Sequence, residues 1–215
     1  MTIYSYGGLP APTTRRLRLV TNTGLAMSRL NRVMQTASRP GEHWELQYAW
    51  RNLRESEFHQ VTGFLAQLNG QEHRATMPIY GYNRQGVGGG TPVVDGASQT
   101  GASLNVRGLP VSTSNWLRRG DMFHVSYVAA NPDYRPLFMV TADVDTNGSG
   151  EATIPIRPAL RFSPDDGEAL AITTLSAHFI LMSPLEWPLD ARLQDADGYI
   201  SPTIIAEFVE DVRGQ

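Results

Sequence analysis

Four residues have the types and spacing of a calcium-binding loop. Asp143, Asp145, Asn147 and Gly148 match the opening of an EF-hand, which draws oxygen ligands from alternate positions. Such a loop needs a bidentate Glu at its twelfth position to complete the coordination shell, and Ile154 occupies that position. No helix is predicted on either side. The sequence therefore predicts a β-hairpin turn, with adventitious calcium binding as the alternative.

The glycine-rich stretch at residues 86–90 has the composition of a phosphate-binding loop but not its pattern. It lacks the Lys-Ser/Thr pair of the Walker loop and does not open a helix after a strand. The whole chain lacks Lys and Cys. These absences exclude Schiff bases, disulfides, zinc–thiolate sites, iron–sulfur clusters and cysteine nucleophiles. The stretch is therefore predicted to be a flexible linker.

The remaining titratable and nucleophilic residues show no catalytic spacing. The G-x-S-x-G motif of serine hydrolases is absent, and no two histidines are four positions apart, as in a helical metal site. Asp165 with Asp166 and Asp195 with Asp197 lie in loops, and a glycan-cleaving enzyme stays an alternative because glycosidase carboxylates are paired only in space. The sequence predicts no enzyme, no metal site and no cofactor. The histidines, all interpreted as structural, are His43, His59, His73, His124 and His178.

Two tryptophans are candidates for contact with a partner. Trp116 and Trp187 lie in predicted loops, and exposed loop tryptophans often mark interfaces. Together with eight Tyr they also suggest stacking on sugars, so a carbohydrate-binding module that adheres to host cell-surface glycan is the alternative function. Trp44 and Trp50 share one face of a predicted strand and are expected in the core.

The elements that position these residues are predicted to be mainly strands. Gly (20) and Pro (14) together make up 34 of the 215 residues, about 16%. This share exceeds the roughly 12% of an average protein and favours turns. Residues 25–36 fit a strand and a helix equally, and Asn147-Gly148 is the strongest hairpin signal. Strands are predicted at 13–20, 44–50, 72–79, 104–106, 122–129, 137–144, 152–156, 177–182 and 203–211.

One helix is predicted, over about residues 53–69. Asn52 is expected to cap it, with Glu55 three residues later as a variant of the capping box. Gly70 is a natural C-terminal stop. The apolar stripe at helical spacing, which is expected to pack on a sheet, consists of Phe58, Val61, Phe64, Leu65 and Leu68.

Charge is distributed unevenly along the chain. Residues 1–85 hold ten Arg and five acidic residues, a net of +5, whereas residues 86–215 hold eight Arg and sixteen acidic residues, a net of −8. This polarity favours stacking of copies, positive against negative, or is ordinary drift of surface charge.

No dense basic patch interleaved with aromatics occurs, which disfavours a nucleic-acid-binding protein. No apolar run reaches the length of a membrane span, and no secretory signal is expected.

Several segments together resemble distal tail proteins of long-tailed bacteriophages, the siphoviruses. Each segment alone is a turn or strand signature, and their order and spacing along the chain carry the resemblance. The segments are Glu-His-Trp-Glu-Leu at 42–46, Phe-Leu-Ala-Gln-Leu-Asn-Gly at 64–70, Val-Asp-Gly-Ala-Ser-Gln-Thr-Gly at 94–101, Leu-Arg-Arg-Gly-Asp-Met-Phe at 117–123, and Asp-Thr-Asn-Gly-Ser-Gly-Glu-Ala-Thr-Ile-Pro-Ile at 145–156, followed by Pro-Ala-Leu-Arg at 158–161.

The resemblance implies a fold and a role. Residues 1–85 together with 165–215 would form a ring-forming β-sandwich domain with one packed helix. Residues 86–164 would form an inserted small β-barrel of the oligonucleotide/oligosaccharide-binding type. Six copies would close into a homohexameric ring in the tail tip that joins the tail tube to the baseplate hub and leaves a channel for DNA.

The resemblance also implies partners and a location. The expected partners are other copies of the chain, the tail tube protein and the baseplate hub protein, with tail fibres or other tip proteins as further partners. No sequence-specific nucleic acid and no membrane anchor are expected. The protein would reside in the tail tip of the virion, after assembly in the host cytoplasm, as a structural viral protein.

Overall fold

The computed structural model describes residues 1–27, 32, 34–38, 41–126, 134–185, 199–200 and 203–211. This part of the chain is mainly β with one helix, α1 (Glu55–Gln67), as the sequence predicts. No helix within it is long and apolar enough to cross a membrane. The strands are β1 (Ile3–Ser5), β2 (Thr14–Val20), β3 (Thr23–Met27), β4 (Met34–Ser38), β5 (His43–Trp50), β6 (Leu53–Arg54), β7 (Arg74–Pro78), β8 (Val93–Val94), β9 (Gly101–Arg107), β10 (Met122–Val125), β11 (Leu137–Val140), β12 (Ala152–Leu160), β13 (Leu170–Ala171), β14 (Ser176–Leu181), β15 (Tyr199–Ile200) and β16 (Ile204–Glu210).

The first sheet has six strands in the order β1-β7-β14-β16-β5-β2. Only the β1–β7 pair is parallel. Period-two alternation places one side of β5 in the core, because successive side chains of a strand point to opposite faces. That buried side, predicted from the sequence, consists of Trp44, Leu46, Tyr48 and Trp50.

Helix α1 packs on the first sheet through the predicted apolar stripe, all five residues of which are buried in the first core. The helix ends where Asn69 and Gly70 both adopt positive φ, near the predicted stop. The prediction of Asn52 as the N-cap is wrong. Arg54 occupies the cap, and its backbone N–H donates to the Glu57 carboxylate over 2.8 Å. The cause is the pairing of β6 with β15, which keeps residues 53–54 extended and delays the helix.

The second sheet also has six strands, in the order β13-β10-β11-β12-β9-β8, and all of its pairs are antiparallel. A bridge between Val93 and Ala169 joins the two ends of this order, so the sheet is nearly closed like a barrel. Its interior is a separate apolar cluster that includes Leu104, Phe123 and Ile154.

The second sheet interrupts the first along the chain. The strands of the second sheet come from residues 93–171, whereas the first sheet takes β1, β2, β5 and β7 from before that stretch and β14 and β16 from after it. The predicted domain boundaries, residues 1–85 with 165–215 and residues 86–164, stay a prediction.

The glycine-rich stretch at 86–90 is not the flexible linker that its composition predicts. The backbone N–H of Val87 donates to the Asn115 carbonyl over 3.0 Å, and that of Gly88 donates to the Trp116 carbonyl over 2.8 Å. A β-carbon on Gly86 would overlap the Trp116 carbonyl and the Leu117 α-carbon. Glycine is present because two backbones meet there in close contact, and the stretch is docked on the second sheet.

Replacing Gly86 by Ala should therefore destabilise the chain by about 1–3 kcal/mol, the usual cost of overpacking a tight site. Gly148→Ala is the matched control, because a β-carbon there would meet nothing within 4 Å. Urea unfolding of both variants measures the difference. Equal stability of the two variants would show that the stretch is not packed as described.

Candidate functional site

Trp116, one of the two tryptophans proposed to contact a partner, is buried. Its side chain is 0% exposed in the second core, and its indole N–H donates to the Gly89 carbonyl over 3.2 Å. The expectation of an exposed loop tryptophan is wrong at this position, because the docked stretch at 86–90 runs alongside the ring. A buried indole offers no stacking face for a sugar. Trp187 lies outside the described residues, and its interface role stays a prediction.

The calcium-like run uses its carboxylates to hold loops together. Asp143 accepts a hydrogen bond from the Arg119 backbone N–H over 2.9 Å, and Asp145 accepts one from the Asn115 backbone N–H over 2.6 Å. The run lies in the connection between β11 and β12, which pair as an antiparallel hairpin. Within the part of the chain that the structure describes, no three His, Asp or Glu side chains group as a metal site.

Of the acid pairs singled out in the sequence, Asp165 with Asp166 lies within the described residues. Asp166 binds the Arg107 guanidinium, with its carboxylate oxygen 2.6 Å from Nη1. Arg107 also contacts Asp95 over 2.8 Å. Asp195 and Asp197 lie outside the described residues.

Two of the five histidines lie at the junction between the sheets. His124 on β10 accepts a hydrogen bond through Nδ1 from the Ser176 backbone N–H of β14, over 3.3 Å. Burial, and to a smaller extent the neighbouring positive charge of Arg135 and the nearby His178, together lower the pKa of His124 to about 4. A neutral imidazole in this position is a hydrogen-bond acceptor that ties one sheet to the other. Of the rest, His43 and His73 are partly buried and His59 is exposed on α1.

A buried carboxylate is the main link across the same junction. Glu210, at the end of β16, accepts the backbone N–H of Trp44 on β5 and the backbone N–H of Leu137 on β11, each over 3.0 Å. The Trp44 indole N–H donates back to the Leu137 carbonyl over 2.8 Å. Two strands of the first sheet are thereby joined to one strand of the second. A buried N–H group left without an acceptor costs about 1–3 kcal/mol, so the loss of either hydrogen bond to Glu210 would destabilise the fold.

The junction perturbs the ionisation of Glu210. Burial raises the pKa of its carboxyl to about 7, while the N–H groups of Leu137 and Trp44 and the charge of Arg161 act in the opposite direction. Arg161 itself donates to the Glu42 carbonyl, and Arg157 of β12 pairs with the Glu42 carboxylate over 3.0 Å. These contacts extend the junction toward the start of β5.

A second buried carboxylate fixes the crossing from the first sheet to the second. Asp121 accepts the backbone N–H groups of Gln85, Gly86 and Arg118, over 2.7, 2.9 and 2.8 Å. The Tyr82 hydroxyl accepts the Met122 N–H over 2.8 Å, and burial raises the pKa of that phenol to about 12. The crossing is therefore held by one carboxylate and one phenol.

Sequence reasoning missed both carboxylates. Glu210 had a signal, because it has the same period-two parity as Ile204, Ala206 and Phe208, which face the core. A charged residue at an inward position of a strand requires partners for its oxygens. Asp121 had no comparable signal, since it lies in a loop before β10.

Beyond the junction, the described residues include an exposed two-stranded hairpin. Strands β3 and β4 pair only with each other in the described sheets, with Met27 opposite Met34 and Leu25 opposite Thr36. We call these two strands the arm. One face of the arm carries Leu25, Met27 and Met34, which are 66%, 59% and 65% exposed. The strand alternative for residues 25–36 is thus the correct one in the described part.

The solvent side of the first sheet holds a groove of about 340 Å³ across β2, β5 and β16. We call this side the outer face. On this face, the strand pairing puts one residue from each of β2, β5 and β16 side by side in a row, which we call a rung. The three rungs are Arg18, Glu45 and Val209; Arg16, Gln47 and Glu207; and Thr14, Ala49 and Ile205. Met182 borders the groove, and both it and Ile205 are about half exposed, at 48% and 53%.

The Glu210 junction predicts a specific pH dependence of stability. The folded chain holds a proton on Glu210 up to about pH 7, whereas an ordinary Glu releases it near 4.5. Stability from this group is present below pH 4.5 and is lost as the pH rises through 7, by a total on the order of 3 kcal/mol. In Glu210→Gln, urea unfolding across pH 4.5–7.5 should lack this loss.

Glu207→Gln is the matched control, because Glu207 is exposed on the same strand. His124 has the opposite effect on the pH dependence. Because its pKa is lowered in the folded chain, its contribution to the free energy of unfolding is lost as the pH falls from 6.5 to about 4. The informative quantity is therefore the difference between the wild type and each variant at the same pH. An unchanged pH profile in Glu210→Gln would contradict the buried junction.

No protein-family model matches the chain, and no curated protein matches its sequence. The assignment of a function therefore depends on the sequence and on the arrangement of the two sheets.

Proposed function

We propose that this protein is a non-enzymatic structural subunit of a siphovirus tail tip. Six copies close into a ring that connects the tail tube to the baseplate hub and leaves a channel for DNA. The observation that carries the proposal is the interrupted first sheet: a six-stranded sheet with one helix, into whose sequence a nearly closed second sheet is inserted. That arrangement agrees with the organisation that the sequence resemblance implies.

In this proposal the two sheets have separate roles. The first sheet and α1 form the ring-forming β-sandwich domain, and the second sheet forms the inserted barrel of the oligonucleotide/oligosaccharide-binding type. A closing ring requires a head-to-tail interface with a fixed rotation between neighbours. The contacts of Glu210 and Asp121 support that requirement, because they hold the inserted sheet in one position on the first.

The exposed apolar groups also support assembly. Leu25, Met27 and Met34 lie together on one face of the same hairpin. Scattered exposed hydrophobics are normal on a monomer, but a contiguous apolar face marks an interaction site. The edge strand β2 adds seven residues that have a partner on one side only in the described sheet, and an unpaired strand edge is a template for pairing with another chain.

The uneven charge supports stacking of this ring on other rings. Residues 1–85 carry a net charge of +5 and residues 86–215 a net charge of −8, so the charge is polarised along the sequence. In the proposed role, unlike faces meet the tube protein on one side and the hub protein on the other. The carbohydrate-binding alternative lacks comparable support, because Trp116 is buried.

The purified chain should assemble in solution. Multi-angle light scattering is expected to give six chain masses, and negative-stain images of the same sample should show rings with an open centre. Association depends on protein concentration through mass action, so the fraction of chains in rings should rise as the protein is concentrated. A chain that stays monomeric to its solubility limit would contradict the proposal.

A further inference from the structure

Strand β2 is the longest edge strand of the described sheets. It pairs with β5 over seven residues and has no strand partner on its other side within the described part of the chain. An unpaired strand presents a row of backbone N–H and C=O groups and is a template for a further strand. The two sides of β2 differ in chemistry, because successive side chains of a strand point to opposite faces.

The side of β2 that faces the core carries two leucines that are not fully covered. Leu17 and Leu19 pack against the first core but remain partly exposed. Arg15, on the same side, is held by its own surroundings. Its Nε donates to the Pro12 carbonyl over 3.1 Å, and its guanidinium lies 5.6 Å from the centre of the Tyr80 ring. Apolar side chains of a further strand would complete the burial of the two leucines.

The outer side of β2 is basic. Arg16 and Arg18 are exposed there, and β2 contains no acidic residue. Arg18 pairs with the Glu45 carboxylate of β5, whereas Arg16 lies opposite Gln47, whose amide donates to Glu207. Among the described residues, Arg16 has no carboxylate within ion-pair distance. An acidic side chain on a neighbouring strand would meet this arginine, and opposite charges on paired strands attract each other.

A second copy of this chain does not offer the matching strand. Besides β2, the strands at the edges of the described sheets are β1, β3, β4, β6, β8, β13 and β15, and none of them contains Asp or Glu. The acidic residues of the described strands lie in β5 and β16, which have partners on both sides. The charge of β2 therefore favours a strand from a different protein.

We propose that β2 binds an extended acidic segment of a different protein, which adds a strand to the edge of the first sheet. Main-chain hydrogen bonds supply the affinity of such a contact, and alternate side chains supply its specificity. The segment places apolar side chains beside Leu17 and Leu19, and Asp or Glu beside Arg16 and Arg18. This inference goes beyond the proposed ring, because it concerns one edge of a single copy and the chemistry of a different protein.

Synthetic peptides test the inference with the full chain. The probe is a fluorescein-labelled peptide, Ser-Val-Glu-Val-Glu-Val-Ser, whose binding is measured by fluorescence anisotropy. In one control peptide every Glu is replaced by Lys. In the other every Val is replaced by Pro, which keeps the charge but removes N–H donors. We expect the Glu–Val peptide to bind at least about tenfold more tightly than either control.

The variant Arg16→Glu should reverse the preference. It should weaken binding of the Glu–Val peptide and strengthen binding of the Lys peptide, a reversal that loss of folding does not produce. Arg119→Glu is the matched control, because Arg119 is exposed in a turn of the second sheet, and both affinities should stay unchanged. Hydrogen exchange should show that the Glu–Val peptide protects the amides of residues 14–20.

The outcomes separate this inference from the proposed function. Equal binding of the three peptides, or protection of amides outside β2 alone, would overturn the inference. Rings in light scattering without peptide binding would overturn it and keep the proposed function. A chain that stays monomeric while the Glu–Val peptide protects β2 would support the inference and contradict the proposed function.

Discussion

The carboxylate of Glu210 is the contact on which the rest of the structure depends. A buried carboxyl group is costly unless its oxygens are hydrogen-bonded, and a buried N–H is costly without an acceptor. Glu210 satisfies one N–H from each sheet, at Trp44 and at Leu137. Because both donors belong to the backbone, any shift of the second sheet relative to the first would leave at least one group unpaired. The carboxylate therefore selects one relative position of the two sheets.

Other contacts reinforce that position without replacing it. The Trp44 indole returns a hydrogen bond to Leu137, so the same two residues are joined twice. Asp121 holds the chain where it crosses between the sheets, and the packed glycines at 86–90 remove the freedom that a linker would have. A subunit whose two sheets have a fixed relative position is suited to a closed ring, in which every interface repeats the same angle. The junction thus links the fold to the proposed role.

The sequence was informative wherever one face of an element is buried. The alternation of Trp44, Leu46, Tyr48 and Trp50 predicts β5, and the apolar stripe predicts the buried side of α1. Predictions failed where a distant segment decides the local structure. Asn52 has the chemistry of a cap, but the pairing of β6 with β15 sets the start of the helix.

Composition alone does not determine the structure of the candidate sites. A glycine-rich sequence such as 86–90 looks the same whether its glycines give flexibility or allow two backbones to pack closely. The residues next to Trp116 in the sequence predict an exposed loop, but the stretch at 86–90 packs beside its ring. Glu210 was detectable from its parity in β16, but its partner Leu137 is far away in sequence and no pattern connects the two. The arm was predictable only as an ambiguous segment, because exposed apolar residues fit both a strand and a helix.

A cryo-electron microscopy reconstruction of the assembled protein would test the account most directly. The predicted result is a closed ring of six copies with an open channel, in which the Glu210 carboxylate of every copy lies within hydrogen-bond distance of the Trp44 and Leu137 N–H groups. An open or non-repeating assembly, or a ring in which Glu210 faces solvent and the two sheets have separated, would contradict it.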